Sequence, residues 1–203
     1  MGATQRLARL LTVLHSGELL AAYTAAHQAR LAPDAWMQRA LNVQAAQERH
    51  HSAIAETALS ITRARGAMPD VTAALRARIT RDLATGELSR SFIGLQGVVE
   101  HMGEALLERL GAYQHPAGVL LHRLRLRVLA QERGHVALGA RCREALASAG
   151  NSEREAFEEY CALGRTAAVE VTALLDDARL DANAYWTDVQ ARLTHWHALA
   201  QVS

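Results

Sequence analysis

Two copies of one short motif, Gln-Glu-Arg-x-His, constrain the fold of this 203-residue chain more than any other feature. They occupy residues 47–51 and 131–135, each inside a long stretch whose apolar residues recur with the spacing of an amphipathic helix. Three residues turn a helix by about 300°, so the glutamate and the histidine of each copy project from the same face. His50 points nearly the opposite way and is a poor ligand. The motif therefore favours a fold in which two long helices turn these faces toward each other.

A glutamate embedded in apolar residues precedes each copy of the motif. Glu18 lies 30 residues before Glu48, and Glu100 lies 32 residues before Glu132. Two long helices joined by a short turn place such residues at similar heights, so the sequence has the form of a twofold pseudo-repeat. One Glu-x-x-His alone is a weak signal, because charged pairs at this spacing are common on helix surfaces. Two matching copies, each with a glutamate upstream, are a strong signal.

Three prolines and several glycines divide the chain into helical segments. Only 4% of the residues are aromatic, so we expect a core of mainly leucine, valine and alanine. We predict an all-α protein in which four long helices form one bundle, with a helical crossover between the second and the third. The bundle is assigned to residues 1–150, and a C-terminal helical extension packed on it to residues 151–203. The predicted helices span about 3–30, 34–65, 70–84, 89–112, 116–149, 152–179 and 181 to near the C-terminus.

The repeated residues supply four carboxylates and two neutral imidazoles. Inside a dry helical bundle, four negative charges are prohibitively costly unless cations balance them. Two divalent ions would do so, and carboxylates that bridge or chelate leave positions at which dioxygen can bind. Dinuclear carboxylate bundles use this same ligand set. Two of their helices each supply one glutamate, and each of the other two supplies a Glu-x-x-His.

At these residues the chain resembles the ferritin-like superfamily of non-haem di-iron carboxylate proteins. The resemblance covers about residues 5–145 and implies a ferritin-like four-helix bundle with one or two extra C-terminal helices. It also implies a centre of two iron ions, with manganese as the alternative metal. The implied metal ligands are Glu18, Glu48, His51, Glu100, Glu132 and His135.

Within that superfamily, the gaps between the implied ligands are similar to those of demethoxyubiquinone hydroxylase and aldehyde-deformylating oxygenase. Residues 15–18, His-Ser-Gly-Glu, resemble the His-Ala-Gly-Glu opening of the hydroxylase, and residues 47–51 resemble its Gln-Glu-x-x-His segment. The hydroxylase pattern after the third-helix glutamate is not reproduced, since His101 and Glu104 stand there. The hydroxylase-like interpretation predicts a hydrophobic channel beside the first or the third helix and a surface that faces a membrane.

The leading hypothesis is a non-haem di-iron oxygenase or oxidase that activates O2 to act on a small, largely apolar organic substrate. Its partners would be that substrate, O2 and an external electron donor or reductase. The alternative is a ferroxidase or other iron-handling ferritin-like protein, which needs acidic residues that lead iron inward. A helical interaction protein without metal is a third hypothesis, against which the duplicated motif argues. The acidic residues beyond the core, typical of an exposed helix face, are Glu153, Glu155, Glu158 and Glu159.

Further positions near the implied ligands have two interpretations each. Glu104, one turn after the third-helix glutamate, is either an extra ligand or proton relay, or a hydrated neighbour of the site. His15, three residues before the first glutamate, is either a partner or extra ligand of the centre, or a hydrogen-bonded core histidine. The small residues Gly97 and Gly103 favour either a substrate cavity or close helix packing.

Composition excludes several classes of function. All 22 basic residues are arginine, which excludes lysine Schiff-base chemistry and the lysine-bearing phosphate loop. A net charge of +1 gives no polybasic signature for nucleic acid, and nothing in the sequence supports contact with a membrane. Two cysteines cannot form a disulfide framework, and no apolar run reaches transmembrane length. We expect a cytoplasmic protein without a nucleic-acid partner. If the protein forms an oligomer, we expect a homodimer.

Overall fold

A computed structural model describes residues 2–62, 70–111, 116–146 and 151–199 of the chain. All regular secondary structure in these residues is helical, which confirms the predicted all-α class. The predicted helix ends near residues 65, 112 and 149 lie outside the described residues. The helices are α1 (Ala3–Leu31), α2 (Ala35–Thr62), α3 (Ala73–Ala84), α4 (Leu88–Phe92), a π-helix (Ile93–Val99), α5 (Glu100–Leu110), α6 (Pro116–Leu146), α7 (Asn151–Asp177) and α8 (Tyr185–Leu199).

The first two long helices form an antiparallel hairpin. Helix α1 ends just before the first proline, Pro33, because proline disfavours a helical conformation in the residue that precedes it. Leu7 and Leu11 near the start of α1 pack against Ala58 near the end of α2. Ala29 near the end of α1 belongs to the same buried cluster as residues at the start of α2. The hairpin therefore places the glutamate of α1 beside the Glu-x-x-His motif of α2.

The other two long helices also pair in antiparallel fashion. Leu107 on α5 packs against Val128 and Leu129 on α6, and Glu104 on α5 pairs with Arg133 on α6. Helix α3 makes the helical crossover between the two hairpins, as predicted from the sequence. The two hairpins and this crossover give the arrangement of a ferritin-like bundle.

The third long helix is not the continuous α-helix predicted over residues 89–112. Residues Ile93–Val99 form a π-helix between α4 and α5. At its end, the amide N–H of Glu100 donates to the carbonyl oxygen of Leu95, five residues earlier. Short π-helical stretches inside α-helices are often found at functional sites. Here the stretch ends directly at Glu100, one of the implied metal ligands.

Two glycines of the π-helix let aromatic rings from the C-terminal helices pack against its backbone. A Cβ atom on Gly94 would lie 2.5 Å from Cε1 of Tyr160, and one on Gly97 would lie 2.9 Å from Cζ3 of Trp196. Any larger residue at either position would have to displace an aromatic ring. Of the two interpretations of Gly97, close helix packing is therefore the one that the structure supports.

The C-terminal helices share their core with the bundle. The Trp196 indole N–H donates to the carbonyl oxygen of Val136 at 2.9 Å, and the Tyr185 hydroxyl donates to that of Met102 at 2.9 Å. Side chains of α7 and α8 lie in the same buried cluster as those of α1, α3 and α5. The predicted boundary at residue 150 therefore separates helices that contribute to one continuous core. None of the helices in the described residues is both long and apolar enough to span a membrane.

Candidate metal centre

The six implied ligands lie together in the middle of the bundle. They form two groups of four, and within each group one ligand atom per residue lies within 4.8 Å of the others. The first half-site consists of Glu18, Glu48, His51 and Glu132, and the second half-site consists of Glu48, Glu100, Glu132 and His135. Glu48 and Glu132, the glutamates of the repeated motif, therefore belong to both half-sites.

In the first half-site, Nδ1 of His51 faces three carboxylates. It lies 3.4 Å from Oε2 of Glu18, 3.2 Å from Oε2 of Glu48 and 3.1 Å from Oε1 of Glu132. All four side chains are buried. The four ligands come from three helices. Helix α1 supplies Glu18, α2 supplies Glu48 and His51, and α6 of the facing hairpin supplies Glu132.

The second half-site repeats this arrangement from the other hairpin. Nδ1 of His135 lies 2.7 Å from Oε1 of Glu48, 3.6 Å from Oε2 of Glu132 and 3.7 Å from Oε2 of Glu100. The rings of His51 and His135 are 6.1 Å apart, measured between centroids. Each shared glutamate directs one oxygen toward each histidine, so each could hold two cations, one through each oxygen.

The outer nitrogen of each histidine binds a glutamine from the other copy of the motif. Nε2 of His51 lies 2.7 Å from Oε1 of Gln131, and Nε2 of His135 lies 2.8 Å from Oε1 of Gln47. An amide oxygen only accepts, so each Nε2 carries the hydrogen and Nδ1 is directed at the carboxylates. The sequence contains this signal, since a glutamine precedes the glutamate in both copies, but the crossed pairing is visible only in the fold.

Replacing Gln131 by leucine is expected to weaken metal binding at the first half-site by about 10–100-fold, the usual effect of losing such a partner. The ring of His51 then loses the contact that fixes its orientation. Titration calorimetry with Mn(II) measures the effect. Gln131→Glu, which keeps an acceptor oxygen, should retain most of the affinity, and equal affinities for wild type and Gln131→Leu would refute this role.

A chain of three buried glutamines also reaches the carboxylates, and the sequence analysis missed it. The amide nitrogen of Gln44 donates to Oε1 of Glu48 at 3.1 Å and to Oε1 of Glu100 at 2.8 Å. Gln96 of the π-helix donates to Oε1 of Gln44 at 3.0 Å and exchanges hydrogen bonds with Gln28. These amides lie on apolar helix faces, which is a signal that could have identified them. They hold Glu48 and Glu100 at a fixed separation.

Burial and mutual repulsion divide the four glutamates into two kinds. Burial raises the pKa of Glu18 and Glu100 well above 4.5, and the neighbouring charge of Glu132 adds to the rise in both. Burial also acts to raise the pKa of the shared Glu48 and Glu132. In Glu48 the contacts with His135 and His51 outweigh burial, and in Glu132 the contact with Glu100 does so together with those of His135 and His51, so the pKa of each shared glutamate is lowered.

The two histidines have raised pKa values. Burial disfavours the charged ring, but the close contacts with the carboxylates of Glu100, Glu132 and Glu48 outweigh burial and raise the pKa of His135 to about 12. The pKa of His51 is raised for the same reasons, with Glu132 as its strongest partner. The directions of these shifts favour protons on the two histidines and negative charge on the two shared glutamates, so opposite charges face each other in the buried centre.

The donor set fits divalent cations. Two buried ligand atoms, Oε1 of Glu132 and Nδ1 of His135, have no correctly directed hydrogen bond, although each lies close to groups of the opposite half of the centre. A cation between the carboxylates would satisfy both atoms. Four carboxylates and two neutral imidazoles would also balance two divalent charges. Oxygen and imidazole ligands in this mixture suit iron or manganese.

Two other positions from the sequence analysis lie outside both half-sites. Glu104 is held between two arginines, 3.1 Å from Nε of Arg133 and 2.8 Å from Nη1 of Arg192. Each of its two carboxylate oxygens is engaged in one of these ion pairs, and Glu104 belongs to neither group of ligand atoms among the described residues. His15 lies 3.0 Å from Oγ of Ser52, the neighbour of His51, which corresponds to the hydrogen-bonded core histidine among its two interpretations.

An apolar cavity between α1, α3, α5 and α7 ends at three of the candidate ligands, Glu18, Glu100 and Glu132. We name it the α1–α5 cavity, and its volume is about 50 Å³. Ala21 and Gly103 line it, and a Cβ atom on Gly103 would meet no other atom within 4 Å. Gly103 therefore borders open space, as the cavity interpretation of this residue expects.

No protein-family model and no curated protein matches this chain. Among solved structures, the chain is similar to a Synechococcus protein with aldehyde deformylating oxidase activity. The TM-score is 0.85 at 14% sequence identity, and the match covers 98% of this chain and 92% of that chain. A structural similarity at 14% sequence identity shows that the two proteins share a fold. The chain has a ferritin-like helical-bundle fold with a buried cluster of carboxylates and histidines at its centre.

Proposed function

We propose that this chain is a non-haem di-iron oxidoreductase that uses O2 to oxidise a small, largely apolar organic substrate. The observation that carries the proposal is the α1–α5 cavity, an apolar space that ends at carboxylates of both half-sites. A centre that serves only to store or transport metal needs no such space for an organic molecule. An apolar pocket with a few convergent polar groups is typical of a small-molecule site.

The residues of the chain have separate tasks in this proposal. The six implied ligands hold two iron ions, and the crossed glutamines Gln47 and Gln131 fix the two histidine rings. Bound iron would supply the redox chemistry that activates O2. The apolar wall excludes water and places the substrate beside Glu18 and Glu100. Repeated reduction of O2 needs electrons from outside the chain, so we also propose an external electron donor.

The walls of the cavity favour an organic substrate over iron as the substrate. In its described lining, the acidic residues are the three candidate ligands themselves. Two of the acidic residues considered as an iron path are instead engaged in ion pairs, Glu153 with Arg143 and Glu159 with Arg78. No specific observation therefore favours the ferroxidase hypothesis.

Aldehydes are the first class of substrate to test, because the similar Synechococcus protein has aldehyde deformylating oxidase activity. The protein would be loaded with Fe(II) without oxygen, then mixed with O2, a chemical reductant and straight-chain aldehydes of graded length. We expect O2 consumption that depends on the aldehyde, with formate as product if the reaction is deformylation. Catalytic oxidation of excess Fe(II) that is indifferent to every organic compound would instead establish a ferroxidase.

A variant that fills the cavity separates substrate binding from metal binding. Gly103→Leu is expected to abolish the aldehyde-dependent O2 consumption, because its side chain would occupy the space beside the carboxylates. Two metal ions should still bind, since the variant changes no ligand. Full aldehyde-dependent activity in Gly103→Leu would contradict the assignment of this cavity to the substrate.

A further inference from the structure

A second cavity reaches the candidate metal centre from inside the bundle. It lies between α1, α2, α5 and α6, and Glu18 and His51 of the first half-site form its inner end. Gly111 and Arg125 line its other end. Between these ends the described lining is apolar, so a water molecule finds no hydrogen-bond partner along it. We name this space the axial cavity.

The axial cavity and the α1–α5 cavity approach the centre from different sides. Among their described lining residues they share Leu14 and Glu18, which lie one helical turn apart on α1. The α1–α5 cavity touches carboxylates of both half-sites, whereas the axial cavity touches Glu18 and His51 of the first half-site. The side chain of Leu14 therefore separates two spaces that meet at one candidate ligand.

We infer that the axial cavity is a separate path by which dioxygen reaches the first half-site, with Leu14 as the partition from the substrate cavity. That the gas is dioxygen rests on the proposed function. The axial cavity has a volume of about 40 Å³ and a wall that is apolar between its two ends, and dry apolar cavities accept small apolar guests.

Xenon tests the path without any catalytic activity, because it binds in dry apolar cavities. Crystals pressurised with xenon are expected to show an anomalous peak between Leu11, Ile54 and Leu107. Ala55→Leu, which adds bulk to the wall, should remove the peak. Ala53→Leu adds the same bulk on the exposed side of α2 and should keep it. Absence of the peak in the wild type, or its persistence in Ala55→Leu, would overturn the inference.

The rate at which the Fe(II)-loaded protein reacts with O2 tests whether dioxygen is the molecule that passes through the axial cavity. In Fe(II)-loaded protein, stopped-flow measurement over a range of O2 concentrations gives the second-order rate constant. Ala55→Leu is expected to lower it by roughly tenfold or more, because the gas must wait for the wall to move, while Ala53→Leu should match the wild type. A wild-type rate in Ala55→Leu would refute dioxygen as the occupant.

The two measurements distinguish failure of the inference from failure of the proposed function. If the loaded wild type consumes no O2, the proposed function fails, and with it dioxygen as the occupant, whatever the xenon result. If the wild type consumes O2 but the Ala55→Leu rate is unchanged, the proposed function stands and the axial path is wrong. Loss of both the xenon peak and the fast O2 reaction in Ala55→Leu alone supports the inference.

Discussion

Replacing Glu48 or Glu132 by glutamine is expected to abolish the binding of both metal ions, whereas Glu18→Gln or Glu100→Gln should each leave one ion bound. Glu48 and Glu132 belong to both half-sites, but Glu18 belongs to the first alone and Glu100 to the second alone. Glutamine keeps the size of the side chain and removes its negative charge. A shared ligand without charge weakens both ions at once, so the expected change is from two ions per chain to none.

Equilibrium dialysis against Mn(II), followed by elemental analysis, measures this stoichiometry in each variant. Thermal unfolding shows whether a variant that binds no metal is still folded. His50→Ala is the matched control, because His50 adjoins the motif but is exposed, and it should bind two ions. Two ions bound to a folded Glu48→Gln or Glu132→Gln protein would disprove the bridging assignment.

Metal binding near neutral pH is expected to release about four protons for every two ions. The raised pKa values of Glu18, Glu100, His51 and His135 favour the protonated form of each group in the metal-free protein. Binding through carboxylate oxygens and neutral imidazoles requires all of them to lose those protons. Two divalent charges would then take the place of four protons, so we expect the same net charge at the buried centre in both states. Affinity for metal should therefore fall steeply as the pH is lowered.

Titration calorimetry in two buffers with different ionisation enthalpies measures the number of protons released. The same experiment at a series of pH values should give affinities that weaken as the pH falls, because protons compete with the metal for the raised-pKa groups. Glu48→Gln, which is expected to bind no metal, shows the background heat. Release of one proton or none near neutral pH would mean that the metal-free centre is not protonated in this way.

Much of the fold follows from local sequence signals. Pro33 separates the first two helices, and the apolar periodicity on either side makes both amphipathic. The repeated motif then requires the two hairpins to face each other, because its glutamates and histidines cannot be buried singly. These signals are local or periodic, which is why one sequence is enough to identify them.

The departures from prediction depend on contacts between distant helices. The π-helix at Ile93–Val99 is packed against Tyr160 and Trp196, more than 60 residues away in sequence, and no periodicity reveals such packing. Glu104 has the correct spacing to join the centre, but Arg133 and Arg192 from two other helices hold it elsewhere. Helical spacing fixes the face of a residue and does not fix its partner.

The glutamine partners illustrate the same division. Gln47 and Gln131 are conspicuous in the repeated motif, yet their task depends on each meeting the histidine of the opposite copy. The sequence therefore identifies the ligands, whose chemistry is distinctive, more readily than the neutral amides that orient them. The two cavities are harder still to predict from the sequence, because their shapes depend on side chains from four or more helices.

The dinuclear centre is tested most directly by anomalous diffraction at the iron edge from crystals of the Fe(II)-loaded wild-type protein. We expect two iron peaks about 3.5–4 Å apart. One should lie among Glu18, Glu48, His51 and Glu132, and the other among Glu48, Glu100, Glu132 and His135. A single peak, or iron bound only outside these six side chains, would contradict the proposed dinuclear centre.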